Sequence, residues 1–301
     1  MMYMLYNIVI IIVSILLIFL SLRYLFYSVN PQMLLYTKSE ILDPIKEYSA
    51  DYMVINRNTF DTTILSNLKY PIVFKPDFCH NFANGVELIH SEIQAQQYIK
   101  DSIDDLIIFQ EYHPGPYEGT ILYSKHPVSK TVSMSVVERL PSEKDKNTQW
   151  LWKNAVSAQK HNYTSRNRED LETEILKKKI EMISDKIPEF YFGRYDIRFD
   201  SYENLKNGEG FKILELNLNP SDTRVSQDKS FFYNSKLVTQ LVLKRLEYGF
   251  INILRLKSPS IKDSIKFMKL NINKLIKCDQ ARFYKQSYNK KKNFVKKQLQ
   301  L

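Results

Sequence analysis

The hydrophobic pattern of the chain begins with an uncharged run at residues 8–22 (IVIIIVSILLIFLSL). With the uncharged residues before it, the run reaches the roughly 20 apolar residues that cross a bilayer. Aromatic residues, whose rings favour the membrane interface, flank the run: Tyr3, Tyr6, Tyr24 and Tyr27. We predict that residues 1–28 form a transmembrane signal anchor. A cleaved signal peptide is the alternative, but a basic start and a small-residue cleavage site are not evident.

The anchor also predicts where the rest of the chain lies. Arg23 is the first charged residue after the apolar run, and no Lys or Arg precedes it. By the positive-inside rule, this places the C-terminal body in the cytoplasm, as part of a single-pass membrane protein.

From residue 70 to 250 the pattern alternates between strand and helix periods. It predicts strands at residues 71–75, 85–90, 106–111, 119–124, 131–138, 191–199 and 211–217. It predicts helices at residues 91–100, 168–187 and 231–248, the first opened by a capping box of Ser91 and Gln94. We therefore predict an α+β catalytic domain with antiparallel sheets. Residues 29–69 show no clear period and are predicted to be a linker or a truncated N-terminal region.

Composition and charge narrow the class of protein. The chain has 301 residues, of which 44% are hydrophobic, enough for one substantial core. Cys79 and Cys278 lie far apart and indicate neither a disulfide framework nor a zinc site. Residues 251–301 carry fourteen Lys or Arg and two Asp. The basic character therefore belongs to a C-terminal tail and says little about the body.

The tail combines apolar and basic positions. Ile261, Ile265, Met268, Ile272 and Leu275 recur at intervals of four and three, with lysines between them. A basic amphipathic helix of this kind suits an anionic membrane surface, and a helix packed on the body is an equal alternative. No nucleic-acid-binding motif accompanies the charge, so a nucleic-acid partner is not predicted.

The segment GRYDIRF at residues 193–199 carries three charged residues on a predicted strand. Alternate side chains of a strand share a face. Arg194, Asp196 and Arg198 therefore lie together, and the apolar residues are left for the core. Arg194 would act as a fixed cation able to stabilise a charged intermediate. An ordinary surface ion pair is the alternative for these residues.

The segment FKILELN at residues 211–217 completes the pattern. Alternation places Ile213, Glu215 and Asn217 on one face and the leucines on the other. If this strand pairs with the first, Asp196, Glu215 and Asn217 converge as three oxygen ligands. Such ligands suit Mg²⁺ and leave coordination positions for phosphate and water. The two strands therefore predict a magnesium site.

GRYD followed by LELNLNPSDT resembles the closing motifs of the ATP-grasp superfamily, especially D-alanine-D-alanine ligases and related carboxylate-amine ligases. In these families Arg-x-Asp precedes Glu-x-Asn-x-x-Pro-x-x-Thr. The resemblance implies two α+β subdomains whose antiparallel sheets clasp ATP. It implies that Asp196, Glu215 and Asn217 bind Mg²⁺, and that Arg194 contacts the reacting phosphoryl and acyl groups.

The same resemblance assigns further positions. PIVFKP at residues 71–76 is similar to the strand that carries the nucleotide lysine, so Lys75 would contact the ATP phosphates. Ser221 and Thr223 fall where such enzymes shape the acceptor-substrate pocket. LIIFQEYHPGPYE is similar to the adenine hinge, with Glu118 at the ribose hydroxyls. The implied ATP-binding residues are Lys75, Glu111, Tyr112, His113 and Glu118.

The chain departs from the family pattern at two points. The loop DFCHNFAN, which should cover the phosphates, is followed by Gly85 but contains no glycine itself, and backbone approach to phosphate is easiest at glycine. A second nucleotide lysine often lies upstream of the PIVFKP strand, and the sequence does not identify it.

These features predict an ATP- and Mg²⁺-dependent ligase that acts through an acyl phosphate. Its implied substrates are a small-molecule carboxylate and an amine. A membrane-tethered nucleotide-binding scaffold with a degenerate site is one alternative. An ATP-grasp kinase acting on a small molecule is another.

Overall fold

A computed structural model describes residues 2–28, 36–77, 85–102, 104–141, 163–218 and 230–255, together with residues 262, 265 and 269. The strands are β1 (Tyr52–Asn56), β2 (Ile72–Pro76), β3 (Glu87–Ile89), β4 (Leu106–Glu111), β5 (Tyr117–Lys125), β6 (Val132–Pro141), β7 (Tyr163–Asn167), β8 (Phe192–Phe199) and β9 (Phe211–Asn217). The α-helices are α1 (Met2–Tyr27), α2 (Lys38–Leu42), α3 (Glu92–Asp101), α4 (Glu174–Ser184), α5 (Tyr202–Lys206) and α6 (Phe231–Arg255). The 3₁₀ turns are Asp43–Tyr48, Thr62–Asn67 and Glu169–Leu171.

The strands form two antiparallel sheets, as predicted. The first sheet has the order β1-β4-β2-β3, and the second has the order β7-β6-β5-β8-β9. Side chains of the first sheet and α3 share one buried cluster, which includes Phe74, Ala95 and Phe109. A second cluster joins the other sheet to α4 and includes Tyr195 and Ile180. The fold is therefore α+β, with each sheet covered by its own helices.

The helix predicted at residues 168–187 is shorter in the structure. The Oγ1 atom of Thr173 accepts a hydrogen bond from the N–H of Leu176 at 3.1 Å, so α4 begins at Glu174. The predicted apolar face is confirmed, because Leu176, Ile180 and Ile183 are fully buried. Residues 169–171 form a separate 3₁₀ turn instead of the first helical turn.

The segment predicted as a linker or a truncated N-terminal region contains regular elements of the fold. β1 pairs with β4 from Tyr52↔Gln110 to Asn56↔Leu106. α2 begins with a capping box in which Thr37 and Glu40 exchange hydrogen bonds. These elements are too short to give a clear hydrophobic period, which is why the sequence pattern did not reveal them.

The C-terminal end of α1 packs against α6. Gly249 makes this close crossing possible, because a methyl group at that position would overlap the carbonyl oxygen of Tyr24. Asn252 and Arg245 donate hydrogen bonds to the carbonyl oxygens of Tyr27 and Leu25, at the C-terminal end of α1. Within the described part of the chain, no helix is long and apolar enough to span a membrane. The transmembrane anchor predicted for residues 1–28 is therefore not confirmed.

Candidate active site

The predicted magnesium ligands lie on two paired strands. β8 pairs with β9 so that Asp196 is opposite Glu215 and Arg194 is opposite Asn217. Tyr195 and Ile197, which alternate with them along β8, are fully buried in the core. The predicted alternation of β8 is confirmed, and all four polar side chains belong to one face of the sheet.

A β-bulge interrupts the alternation of β9. Asp196 is opposite Glu215, but Ile197 is opposite Ile213, so Leu214 is an extra residue. Ile213 is consequently buried in the same core cluster as Leu216. The prediction that Ile213 shares the face of Glu215 was therefore wrong. Because Leu214 is the extra residue, it has no pairing partner on β8 in the regular register.

The Leu214 carbonyl oxygen accepts a hydrogen bond from Lys75, which arrives from the first sheet. The Nζ–O distance is 2.9 Å, and the same Nζ donates to Oε1 of Gln110 at 2.8 Å. Burial lowers the pKa of the Lys75 amine to about 8, although nearby carboxylates, chiefly Glu215, favour the charged form. Lys75 is thus buried between the two sheets, where its Nζ contacts Gln110 and the carbonyl oxygen of Leu214.

Asp196 is a buried carboxylate surrounded by donors. Arg194 binds it through two parallel hydrogen bonds, with Nε–Oδ1 at 2.7 Å and Nη2–Oδ2 at 3.1 Å. The Nδ2 atom of Asn217 donates to Oδ2 at 3.3 Å. Arg139 lies 3.7 Å from the same oxygen. The fixed charge of Asp196 is therefore balanced by arginines.

Glu215 is paired with a lysine that sequence reasoning missed. The Nζ atom of Lys38, at the start of α2, lies 3.4 Å from Oε1 of Glu215. Burial alone would raise the pKa of Glu215, but Lys38, Lys75 and Arg194 outweigh it and hold the pKa below its ordinary value. Lys38 lies upstream of β2 in the sequence, and its ammonium group ends at the candidate site. The capping-box sequence Thr37 to Glu40 was the signal that could have indicated a helix start here.

The donor set fits a hard divalent cation. Asp196 and Glu215 supply carboxylate oxygens. Because the amide nitrogen of Asn217 faces Asp196, its carbonyl oxygen is directed away from that carboxylate. No cluster of three His, Cys, Asp or Glu side chains suited to a metal occurs among the residues that the structure describes. The candidate site instead consists of two carboxylates and one carboxamide.

The implied adenine hinge follows β4. Glu111 is the exposed last residue of β4, and its N–H donates to the carbonyl oxygen of Asp51 at 2.7 Å. Tyr112 lies under the guanidinium of Arg198, 5.0 Å from ring centroid to Cζ. His113 accepts a hydrogen bond at Nδ1 from the N–H of Gly115 at 3.0 Å. Burial and the charge of Arg198 lower the pKa of His113, which favours its neutral form.

Glu118 is buried at the start of β5 and is linked to the metal-ligand candidates. Arg139 contacts Oε1 of Glu118 at 3.0 Å and also faces Asp196. Burial raises the pKa of Glu118, and Arg139 and Arg198 oppose this rise. Arg139 therefore lies between the carboxylates of Glu118 and Asp196 and interacts with both. Ser221 and Thr223, the predicted acceptor-pocket residues, lie outside the described residues.

Comparison with solved structures finds similarity to D-alanine ligases and to a ribonucleotide synthetase. The chain is similar to the VanG D-Ala:D-Ser ligase from Enterococcus faecalis, with 16% identity over 73% of this chain and 62% of that chain, and a TM-score of 0.48. It is similar to a D-alanine–D-alanine ligase from Bacillus anthracis complexed with ATP, with 14% identity over 72% and 64% of the two chains and a TM-score of 0.46. A third match is the ADP complex of N5-carboxyaminoimidazole ribonucleotide synthetase, with 15% identity over 62% and 46% of the chains and a TM-score of 0.41.

These solved structures are members of the ATP-grasp superfamily. The sequence motifs resemble the same superfamily. The chain spans less than two thirds of the length of each. No family model matches the chain, and no curated protein matches it.

Proposed function

We propose that the protein is an ATP- and Mg²⁺-dependent ligase that joins a small-molecule carboxylate to an amine. One observation carries this proposal. Three cations from separate parts of the chain, Lys38, Lys75 and Arg194, converge on the acidic pair Asp196 and Glu215. Such a concentration of fixed charge suits a polyphosphate bound with a divalent cation.

The proposed reaction has two steps. A carboxylate oxygen of the first substrate attacks the γ-phosphorus of ATP, and the bond to ADP breaks. The amine of the second substrate then attacks the acyl carbon of the acyl phosphate. The carbon–oxygen bond to phosphate breaks, and the amine releases a proton. The products are an amide, ADP and inorganic phosphate.

The side chains of the site act mainly through position and charge. Lys75 and Lys38 would neutralise phosphate oxygens, since both ammonium groups already lie beside acceptors in the site. Arg194 is held by Asp196 and would stabilise charge on the transferring group. Asp196, Glu215 and Asn217 would hold Mg²⁺, which supplies charge neutralisation of the phosphates. At the hinge, Glu111 to His113 and Glu118 would bind the nucleoside.

The activity can be tested with the full chain, Mg²⁺-ATP, and pooled carboxylates and amines. We expect a condensation product with ADP and phosphate released in equal amounts, measured by mass spectrometry and a phosphate assay. A stable phosphorylated compound without condensation would instead identify a kinase. Nucleotide binding without ADP release in any mixture would identify a scaffold, and either result would overturn the ligase proposal.

We also propose that α1 attaches the protein to a membrane, with the catalytic body in the cytoplasm. The support is the exposure of large apolar side chains around the helix, Ile11, Val13, Leu16, Leu17 and Ile18. A helix that is apolar on all sides is not stable in water by itself. The uncharged sequence before Arg23 agrees with this proposal.

Membrane attachment predicts that the purified full chain floats with liposomes in a density gradient. Replacing both Leu17 and Ile18 with Asp is expected to leave most of the protein in the dense fractions, because charged side chains are costly in hydrocarbon. Ile93→Asp is the matched control, since Ile93 is an exposed apolar residue on α3. Equal flotation of all three proteins would contradict attachment through α1.

A further inference from the structure

Asp77 is a buried carboxylate that lies directly after β2, two residues beyond Lys75. It is only 1% exposed. Its Oδ1 accepts a hydrogen bond from the N–H of Ser39 at 2.8 Å, and its Oδ2 accepts one from Oγ of Ser39 at 2.8 Å. Burying a carboxylate is costly unless it is hydrogen-bonded. The side chain of Asp77 meets this condition through its two hydrogen bonds to Ser39 of α2.

These hydrogen bonds hold the first turn of α2 against the end of β2. The N–H of Lys38 donates to the carbonyl oxygen of Asp77 at 3.0 Å. Asp77 therefore contacts both Lys38 and Ser39, through its backbone and its side chain. The backbone of Lys38 is therefore held on one side by its hydrogen bond to Asp77 and follows the capping residue Thr37 on the other. The side chain of Lys38 extends from this position to Glu215.

The position of Asp77 connects the two lysines of the candidate phosphate site. Lys75 reaches the site directly from β2, where its Nζ contacts Gln110 and Leu214. Lys38 reaches it from α2, which is hydrogen-bonded to the end of β2 through Asp77. The side chain of Lys38 is 15% exposed, and that of its partner Glu215 is 31% exposed.

We propose that Asp77 is a positioning residue that holds Lys38 beside Glu215, so that the end of β2 places both lysines of the site. This inference rests on the proposed ATP-dependent function. In this proposal Asp77 acts on the site through its hydrogen bonds to Ser39 and Lys38.

A double-mutant cycle on the full chain tests the proposal. Asp77→Ala is expected to lower kcat/KM for ATP about tenfold or more, mainly by raising KM, as loss of hydrogen bonds to a charged group predicts. In a Lys38→Ala background, Asp77→Ala should then change kcat/KM less than about twofold, because the group that it positions is gone. Effects of Asp77→Ala and Lys38→Ala that simply multiply would overturn the proposal.

Controls separate positioning from general stability. Asp61→Ala is the matched variant, because exposed Asp61 also accepts a backbone N–H, from Thr63 at 2.9 Å, at the start of a short helix. It should leave KM unchanged. If Asp77→Ala does not fold, Ser39→Ala replaces it in the double-mutant cycle with Lys38→Ala, because Ser39→Ala removes only the hydrogen bond from the hydroxyl group to Asp77. Asp77→Asn, which keeps the shape and one acceptor, should restore part of the activity.

A nucleotide-free measurement distinguishes this inference from the function on which it rests. Competitive acetylation of the full chain, read by mass spectrometry, reports the reactivity of Lys38. Asp77→Ala should raise its acetylation rate relative to wild type, because the amine leaves Glu215, whereas Asp61→Ala should not. If wild type fails to use ATP but this shift occurs, only the ligase proposal fails. An unchanged Lys38 rate in an ATP-active protein defeats the positioning role alone.

Discussion

Asp196→Asn is expected to abolish Mg²⁺-dependent ATP turnover while leaving the protein folded. The amide keeps the size of the carboxylate but lacks its charge, which balances Arg194 and would bind the cation. Loss of a partner of a metal ligand already costs about 10–100-fold. We therefore expect a fall in kcat on the order of 100-fold or more when a ligand itself is lost, measured as ADP release at saturating Mg²⁺.

Glu215→Gln should give the same result, because Glu215 is the opposite residue in the strand pair. Asp185→Asn is the matched control: Asp185 also forms an ion pair with a lysine, Lys125, at 2.7 Å. It follows α4, whose buried side chains pack on the other face of the second sheet. Circular dichroism should show intact folding in all three variants. Turnover at the wild-type rate in both site variants would remove the basis of the proposed function.

The core-facing pattern of the sheets could be predicted because it depends on local alternation. The strands predicted at residues 106–111 and 211–217 have the observed bounds. In β8, the burial of Tyr195 and Ile197 follows the two-residue period of a strand. The pairing of Asp196 with Glu215 could be anticipated for the same reason, since it requires only that these two strands be neighbours.

The β-bulge and the partners of the site could not be predicted in this way. Sequence alternation assumes a regular ladder, and the extra residue Leu214 reverses the face of Ile213. The pairing of Lys38 with Glu215 depends on how α2 attaches to β2 through Asp77. Such contacts join residues that are distant in sequence, so the pattern of a short segment cannot predict them.

β7 was missed for a different reason. Its sequence, YTSRN, contains almost no apolar residues. Among the strands that the structure describes, it lies at the edge of the second sheet and pairs with β6. Arg166 of β7 instead forms an ion pair with the buried Glu138 of the neighbouring strand at 2.7 Å. Hydrophobic alternation cannot identify a strand whose attachment is polar.

The affinity for ATP is expected to fall as pH rises through about 8, the value to which burial lowers the pKa of Lys75. ATP favours the protonated amine, so its binding raises this pKa, and affinity decreases between the pKa of the free protein and that of the complex. Lys75→Met should weaken ATP binding by about 2–5 kcal/mol, which is roughly 30-fold or more, because it removes a buried cation. Titration calorimetry at pH 7 and pH 9 measures both effects.

The stability of the nucleotide-free protein should change with pH in the opposite direction. The pKa of Lys75 is lowered from an ordinary value of 10.5 to about 8. Between these two values the unfolded chain binds more protons than the folded one, so the free energy of unfolding rises with pH. In Lys75→Met the free energy of unfolding, measured by urea titration, should no longer rise with pH in this range. The pH dependence of ATP binding should be lost as well. Lys75→Arg, whose guanidinium does not titrate in this range, should also lack both effects. If the pH dependences persist in both variants, another group is responsible, and Lys75 is not the buried nucleotide cation.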